Sequence, residues 1–178
     1  MSFLRCLLIA LAALPLAARA QSIERVWGEI ELGEPVTPTQ ICRSFNVPDI
    51  YETIRMHEIS SITIRQQIHP VTCLSETWNE VIVDVLNLDK RCTALYFSKT
   101  AGADGQLLHK YDGLKQQLDA KYSPGQESYS ENGTQISTIW EDDQTALRLI
   151  LTRNPQKEEY TLILSASDKI PAEDFTRR

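Results

Sequence analysis

Nothing in these 178 residues spells out a reaction. There is no G-x-S-x-G nucleophile elbow, no phosphate-cradling P-loop and no G-x-G-x-x-G turn, so serine-hydrolase, nucleotide and dinucleotide chemistries have no motif here. No block of Lys and Arg occurs, and basic residues do not interleave with aromatics, which argues against nucleic acid as a partner. Cysteines never fall in a C-x-x-C pair and the three histidines do not cluster, so no metal or other cofactor is implied. Beyond the first 20 residues no apolar run is long enough to cross a membrane.

What is present begins with an export signal. "MSFLRCLLIALAALPLAARAQ" combines Arg5, an apolar stretch from Cys6 to Leu14, a break at Pro15 and the small-x-small site Ala18-Arg19-Ala20. Cleavage would leave a chain starting at Gln21. Cys6 does not follow a lipobox, so it is not read as a lipid-attachment site. The short alanine-rich leader looks bacterial, which places the mature protein in the periplasm or outside the cell. Its removal takes away Arg5 and Arg19 and no acid, so 18 basic residues become 16 against 24 acidic ones, a formal charge of −8. Such a chain would draw a cationic protein partner toward it.

Cys42, Cys73 and Cys92 then remain. In an oxidising compartment three cysteines imply one disulfide and one spare thiol. Cys42 is expected to be one partner, with Cys73 or Cys92 the other, because a simple meander would hold Cys73 and Cys92 at opposite ends of the strand around Val81–Val85.

Periodicity divides the mature chain into two similar runs. "TPTQICRSF" reads as a helix that Thr37 or Thr39 can cap, with Pro38 in its first turn and Ile41, Cys42 and Phe45 on one face. "ISSITIRQQI", "NEVIVDVLNL" and "CTALYFSK" alternate as strands, "LDKR" as a turn between the last two. "TAGADG" is expected to be a loop between halves. After it Leu107, Tyr111, Leu114 and Leu118 recur at helical spacing up to Pro124-Gly125, followed by "QESYSE", "TQISTIW", "TALRLILTR" and "EEYTLILSAS" as four strands. "KIPAEDFTRR" adds at most one helical turn. The fold class is therefore α+β, two helix-plus-antiparallel-meander halves at 21–100 and 101–178 behind a signal peptide at 1–20. The halves would form a tandem repeat, although their identity is too low to establish a duplication.

Asn132-Gly133-Thr134 fits both an N-glycosylation acceptor and a tight hairpin turn. With a bacterial leader and alternating runs on either side, a two-residue type I′ turn is the preferred reading. Few residues invite chemistry. His57-Glu58 begins the zinc-protease pattern H-E-x-x-H, but Ser61 stands where the second histidine belongs. His69 and His109 have no nucleophile context. Glu141, Asp142 and Asp143 lie together in "WEDDQT", read as a solvated hairpin turn that also offers a basic partner three carboxylates. Trp78 and Trp140 stand at strand ends, where aromatics either close a core or anchor an interface.

The second half, "YDGLKQQLDAKYSP…STIWEDDQTALRLIL…YTLILSAS", resembles small exported bacterial proteins in which an amphipathic helix precedes a Trp-bearing strand and two apolar strands. The arrangement is similar to the β-lactamase-inhibitor-protein and small outer-membrane-lipoprotein (SmpA/OmlA) architecture over roughly residues 107–167, with a fainter echo at 37–99. The resemblance implies a non-enzymatic binder, an inhibitor or immunity protein or an envelope-assembly factor. The expected function is thus a soluble protein-binding module, with Trp78, Trp140, Glu141, Asp142 and Asp143 as candidate interface residues and no catalytic, cofactor or metal residue assigned. A small secreted hydrolase and a carrier of a small apolar ligand are the alternatives.

Overall fold

A computed structural model describes residues 21–65, 71–102 and 105–169. Its strands are β1 (Val26–Trp27), β2 (Ile30–Glu31), β3 (Glu52–Arg55), β4 (Ile59–Arg65), β5 (Val71–Cys73), β6 (Glu76–Trp78), β7 (Glu80–Leu86), β8 (Cys92–Gly102), β9 (Gln126–Tyr129), β10 (Gln135–Glu141), β11 (Thr145–Asn154) and β12 (Glu159–Asp168). Helix α1 spans Pro38–Ser44 and α2 spans Gln106–Tyr122. The class is α+β. A single antiparallel sheet of eight strands, in the order β3-β4-β7-β8-β12-β11-β10-β9, dominates the described residues.

Both helices pack on one face of that sheet, for reasons the sequence makes plain. In α1, Thr37 caps the first turn: its side chain accepts from the Gln40 N–H, and the Gln40 side chain accepts from the Thr37 N–H. This reciprocal capping box holds together a helix of only seven residues, too short to persist alone. Ile41 (0 % exposed) and Phe45 are then driven inward, and the Phe45 ring meets Phe97 of β8 edge-on at 6.0 Å. In α2, Leu107, Tyr111, Leu114, Leu118 and Tyr122 form one buried stripe, which lies over the leucines of β11 and β12. The Tyr111 hydroxyl is not stranded in this core, because it pairs with Thr138 Oγ1 at 2.6 Å.

A polar knot closes the end of α2. Asp119 accepts from Lys115 (2.9 Å), from the Gly125 N–H (2.8 Å) and from the Trp140 indole N–H (3.0 Å). Burial pushes this carboxyl up, but those three bonds outweigh it and hold the group below the usual carboxylate range. The chain crosses the Trp140 ring so closely that a Cβ on Gly125 would lie 2.7 Å from it, which is why glycine follows Pro124.

Several expectations need correction. The loop expected from Thr100 begins later: β8 continues to Gly102, paired with Glu159, because the ten-residue β12 supplies ladder partners that far. Strand β3 went unread, since all four of its residues are exposed and show no buried alternation. The segment between β4 and β7 is not a simple connection; β5 and β6 form a separate hairpin there. Cys73 is therefore not at the end of a plain meander, and the argument that paired Cys42 with Cys73 or Cys92 loses that premise. No bond joins the three: Cys42 and Cys73 are half-buried free thiols and Cys92 a buried one. The β9–β10 hairpin exists, but its turn is not type I′. Only Gly133 has positive φ (66°), the Gly133 N–H bonds the Ser130 carbonyl (2.9 Å), and the Asn132 side chain accepts from the Thr134 N–H (3.1 Å). That is a longer loop folded around a four-residue turn. The leader, His69 and residues 170–178 lie outside the described residues.

Candidate functional site

Side chains alternate across a strand, so every strand that feeds the covered face also presents a second set of residues to the other side. On β7 Val81, Val83 and Val85 are buried, whereas Ile82 and Asp84 point away. The same alternation puts Tyr96 of β8, Ser165 of β12, Arg148 of β11 and Ile139 of β10 opposite one another in one transverse row with Ile82. A parallel row runs through Ser98, Ile163, Ile150 and Ser137. No described helix covers these rows. Ser137 and Ser165, which are buried on these rows, and Ala94 and Ala146, buried in the next row along, are small.

The centre of this open face is ordered by hydrogen bonds. Ser61 donates to Asp84 Oδ1 (2.6 Å), and the Tyr96 hydroxyl bonds the same carboxylate. Burial, the Asp84 charge and this bond push the Tyr96 phenol up, so it stays a neutral donor at physiological pH. Arg148, two strands away, is exposed. Hydroxyl pairs link Thr100 to Thr161 (3.1 Å) and Ser128 to Ser137 (2.9 Å) across neighbouring strands. This face therefore presents half-buried isoleucines, small residues, a hydrogen-bonded tyrosine and an exposed arginine.

The residues singled out in the sequence are not brought together. Trp78 (2 % exposed) lies inside the core, 6.0 Å from Phe97, with its indole N–H on the Cys73 carbonyl (3.2 Å). Trp140 (3 % exposed) is buried over Asp119. Glu141 pairs with Lys169 (2.7 Å) at the end of the open face, and Asp143 is exposed in the adjoining turn. Asp142 works locally: it accepts from Gln144, Thr145 and the Ile23 N–H (2.7 Å), fastening the N-terminal segment. Burial raises the Asp142 carboxyl, but these backbone bonds and Arg25 bring it below the usual value. Arg25 completes that fastening through Asp168 (2.7 Å) and Thr145 (2.9 Å). Tyr96 and Arg148, the polar centre of the open face, were overlooked, although the alternation of "CTALYFSK" and "TALRLILTR" already set them opposite the leucines.

A concavity of about 400 Å³ lies where Trp27, Phe45, Cys73 and Phe97 meet. Its thiol is a poor nucleophile: burial pushes Cys73 up to about 11, against a smaller lowering by a bond with Trp27. Burial likewise pushes Cys92 up to about 12. His57 is exposed in the β3–β4 turn and His109 on α2, while Ser61 spends its hydroxyl on Asp84. Among the described residues no group of three or more His, Cys, Asp or Glu side chains is placed to hold a metal ion, and no helix is long and apolar enough to cross a membrane. No protein family, curated protein or solved structure matches the chain.

Proposed function

We propose that this protein is a non-enzymatic protein-binding module of the bacterial periplasm or extracellular space, of the inhibitor, immunity or envelope-assembly type. The open face of the eight-stranded sheet is its contact surface. The observation that carries this reading is the uncovered row centred on Tyr96 and Arg148, two residue types that dominate binding hot spots. Size agrees: strands about 4.8 Å apart and about 23 Å long make a face on the order of the 800 Å² that each partner gives a standard interface. The acidic balance of the chain, 24 acids against 18 basic residues, favours a cationic partner. The same reading takes the two halves as a tandem repeat. What favours it is that each half gives the sheet four adjacent strands after a helix, with β8 and β12 meeting at the centre, although the β1–β2 and β5–β6 pairs of the first half have no counterpart in the second.

The test is affinity capture from a periplasmic extract with the chain from Gln21 as bait. Arg148→Glu and Tyr96→Ala should each lose the captured partner at least tenfold while unfolding near the wild-type temperature. Retention of the partner by both variants would overturn the open face as the contact surface. Turnover of generic ester, peptide or glycan substrates would overturn the non-enzymatic assignment.

A further inference from the structure

The two edges of the sheet are built differently. At the β9 edge the hydroxyl of Ser128 is paired with Ser137, Tyr129 bonds Glu127, and Pro124 precedes the strand. All four residues of each edge strand are exposed, Tyr129 of β9 at 66 % included, but near β3 more large apolar side chains stand exposed: Ile54 (49 % exposed), Met56 (56 %) and Leu88 (74 %). Leu88 follows Asn87, whose side chain donates to the Met56 carbonyl at 2.9 Å. β3 carries the charges of Glu52 and Arg55, but neither proline nor lysine, the strongest guards of an edge, occurs from residue 49 to 59.

Backbone geometry says what such an edge accepts. The Met56 N–H bonds the Ile59 carbonyl (2.8 Å), and antiparallel bonding alternates, so Ile54 and Glu52 turn their peptide groups toward β4. Thr53 and Arg55 consequently point theirs outward. The Tyr51 N–H is already committed to the Thr63 carbonyl at 3.0 Å.

We propose that β3 is a self-association edge, at which a second copy of this chain adds its own β3 in antiparallel fashion. A two-fold axis between the strands must stand perpendicular to the sheet and pass between identical residues. Centring it on Thr53 would need Arg55 to pair with Tyr51, whose N–H is spent. Centring it on Ile54 pairs each Thr53 with the Arg55 of the second copy, so all the outward groups are used in four hydrogen bonds. Ile54 then faces Ile54 in the closest, non-hydrogen-bonded position, and Glu52 faces Met56, with no like charges directly opposed. The axis keeps both uncovered sheet faces on the same side, doubling the surface proposed for partner binding, although the edge does not depend on that proposal. Four bonds and a small apolar patch place the dimer in the weak, transient class. Two acidic chains repel each other, so added salt should strengthen the association.

Sedimentation equilibrium on the chain from Gln21, over a concentration series at low and high salt, tests this. The expected result is a monomer–dimer equilibrium that shifts toward dimer with salt and is at least tenfold weaker in Thr53→Pro, whose proline removes only an outward N–H. Ile54→Lys, at an exposed position, should weaken it equally and guards against a folding defect in the first variant. Ile54→Cys should oxidise to a dimer bridged at position 54, because Cα atoms about 4.5 Å apart suit a disulfide. Arg148→Glu should leave the association unchanged. A wild-type chain that is monomeric under all conditions, a dimer indifferent to Thr53→Pro and Ile54→Lys, or an edge that instead captures another protein would each overturn the proposal.

Discussion

The two faces of the sheet share every backbone bond and differ in what each needs. The covered face carries Val81, Val83, Leu95, Phe97, Leu149 and Leu164, all at 0–1 % exposure, and must fit the underside of two helices. The open face carries Ser61, Ile82, Tyr96, Ser98, Arg148 and Ile163 in the same strands, where packing asks only that strands pair. A residue on the covered face is therefore explained by its neighbours. Exposed Arg148 has no such explanation, and Tyr96 is accounted for only by its bond to Asp84, which is why the proposed contact surface is centred on them.

Adjacent residues on one strand offer the sharpest way to break this comparison. Leu149 (0 % exposed) and half-buried Ile150 differ by one position and point to opposite faces. Leu149→Ala should cost about 2–5 kcal/mol through lost burial and a residual cavity. Ile150→Ala should cost about 1 kcal/mol or less, because water already reaches the site. Urea unfolding of both variants decides it. Equal losses would mean that something covers the open face in the folded protein, and the binding argument would fall with that result.

Asp119 sharpens the comparison from the covered side, where polarity is tolerated only because every bond is made. Asp119→Asn keeps an acceptor for Gly125 and Trp140 but loses the charge that holds Lys115, so a loss of about 1–2 kcal/mol is expected at neutral pH. The sign of the pH dependence follows from the depressed folded-state value. The contribution is fully present above the ordinary carboxylate pKa of about 3.9 and is lost as pH falls through the lower folded value. Wild type and variant should converge in the acid range. A difference that stayed constant across the pH series would show that the charge contributes nothing there.

How much of this was legible follows from the same physics. Alternation read directly from "VIVDV", "LRLIL" and "TLILSA" placed the covered face correctly, as did the i, i+3, i+4 spacing of Leu107, Tyr111, Leu114 and Leu118. Edge strand β3 was not legible, because a strand with no buried side has no alternation to show. The candidate site was missed for a related reason. Aromatics at strand ends drew attention to Trp78 and Trp140, yet burial claims both, and their indole N–H groups find partners inside. Tyr96 was assigned to its face, but a face becomes a surface only when the order of all eight strands is known, and long-range pairing of β8 with β12 is not written in local sequence.

The smallest expected effect belongs to the β9–β10 turn, which lies on neither face and so sets the baseline for both. Gly133 has φ of 66°, and a Cβ there would meet nothing within 4 Å, so only the backbone conformation resists a side chain. Gly133→Ala should therefore destabilise by about 1 kcal/mol, the lower end of the usual cost of left-handed geometry for a residue with a Cβ. Thr134→Ala removes the hydroxyl that donates to Asn132 Oδ1 (2.7 Å) but keeps the backbone N–H bond to the same oxygen, so its loss should stay under about 0.5 kcal/mol. Thermal unfolding ranks the pair, and intact mass adds an independent reading, since both variants should differ from wild type only by the substituted atoms. If native protein carries extra hexose mass that disappears in Thr134→Ala, Asn132 is a glycan acceptor, and the bacterial compartment proposed for this protein is overturned with it.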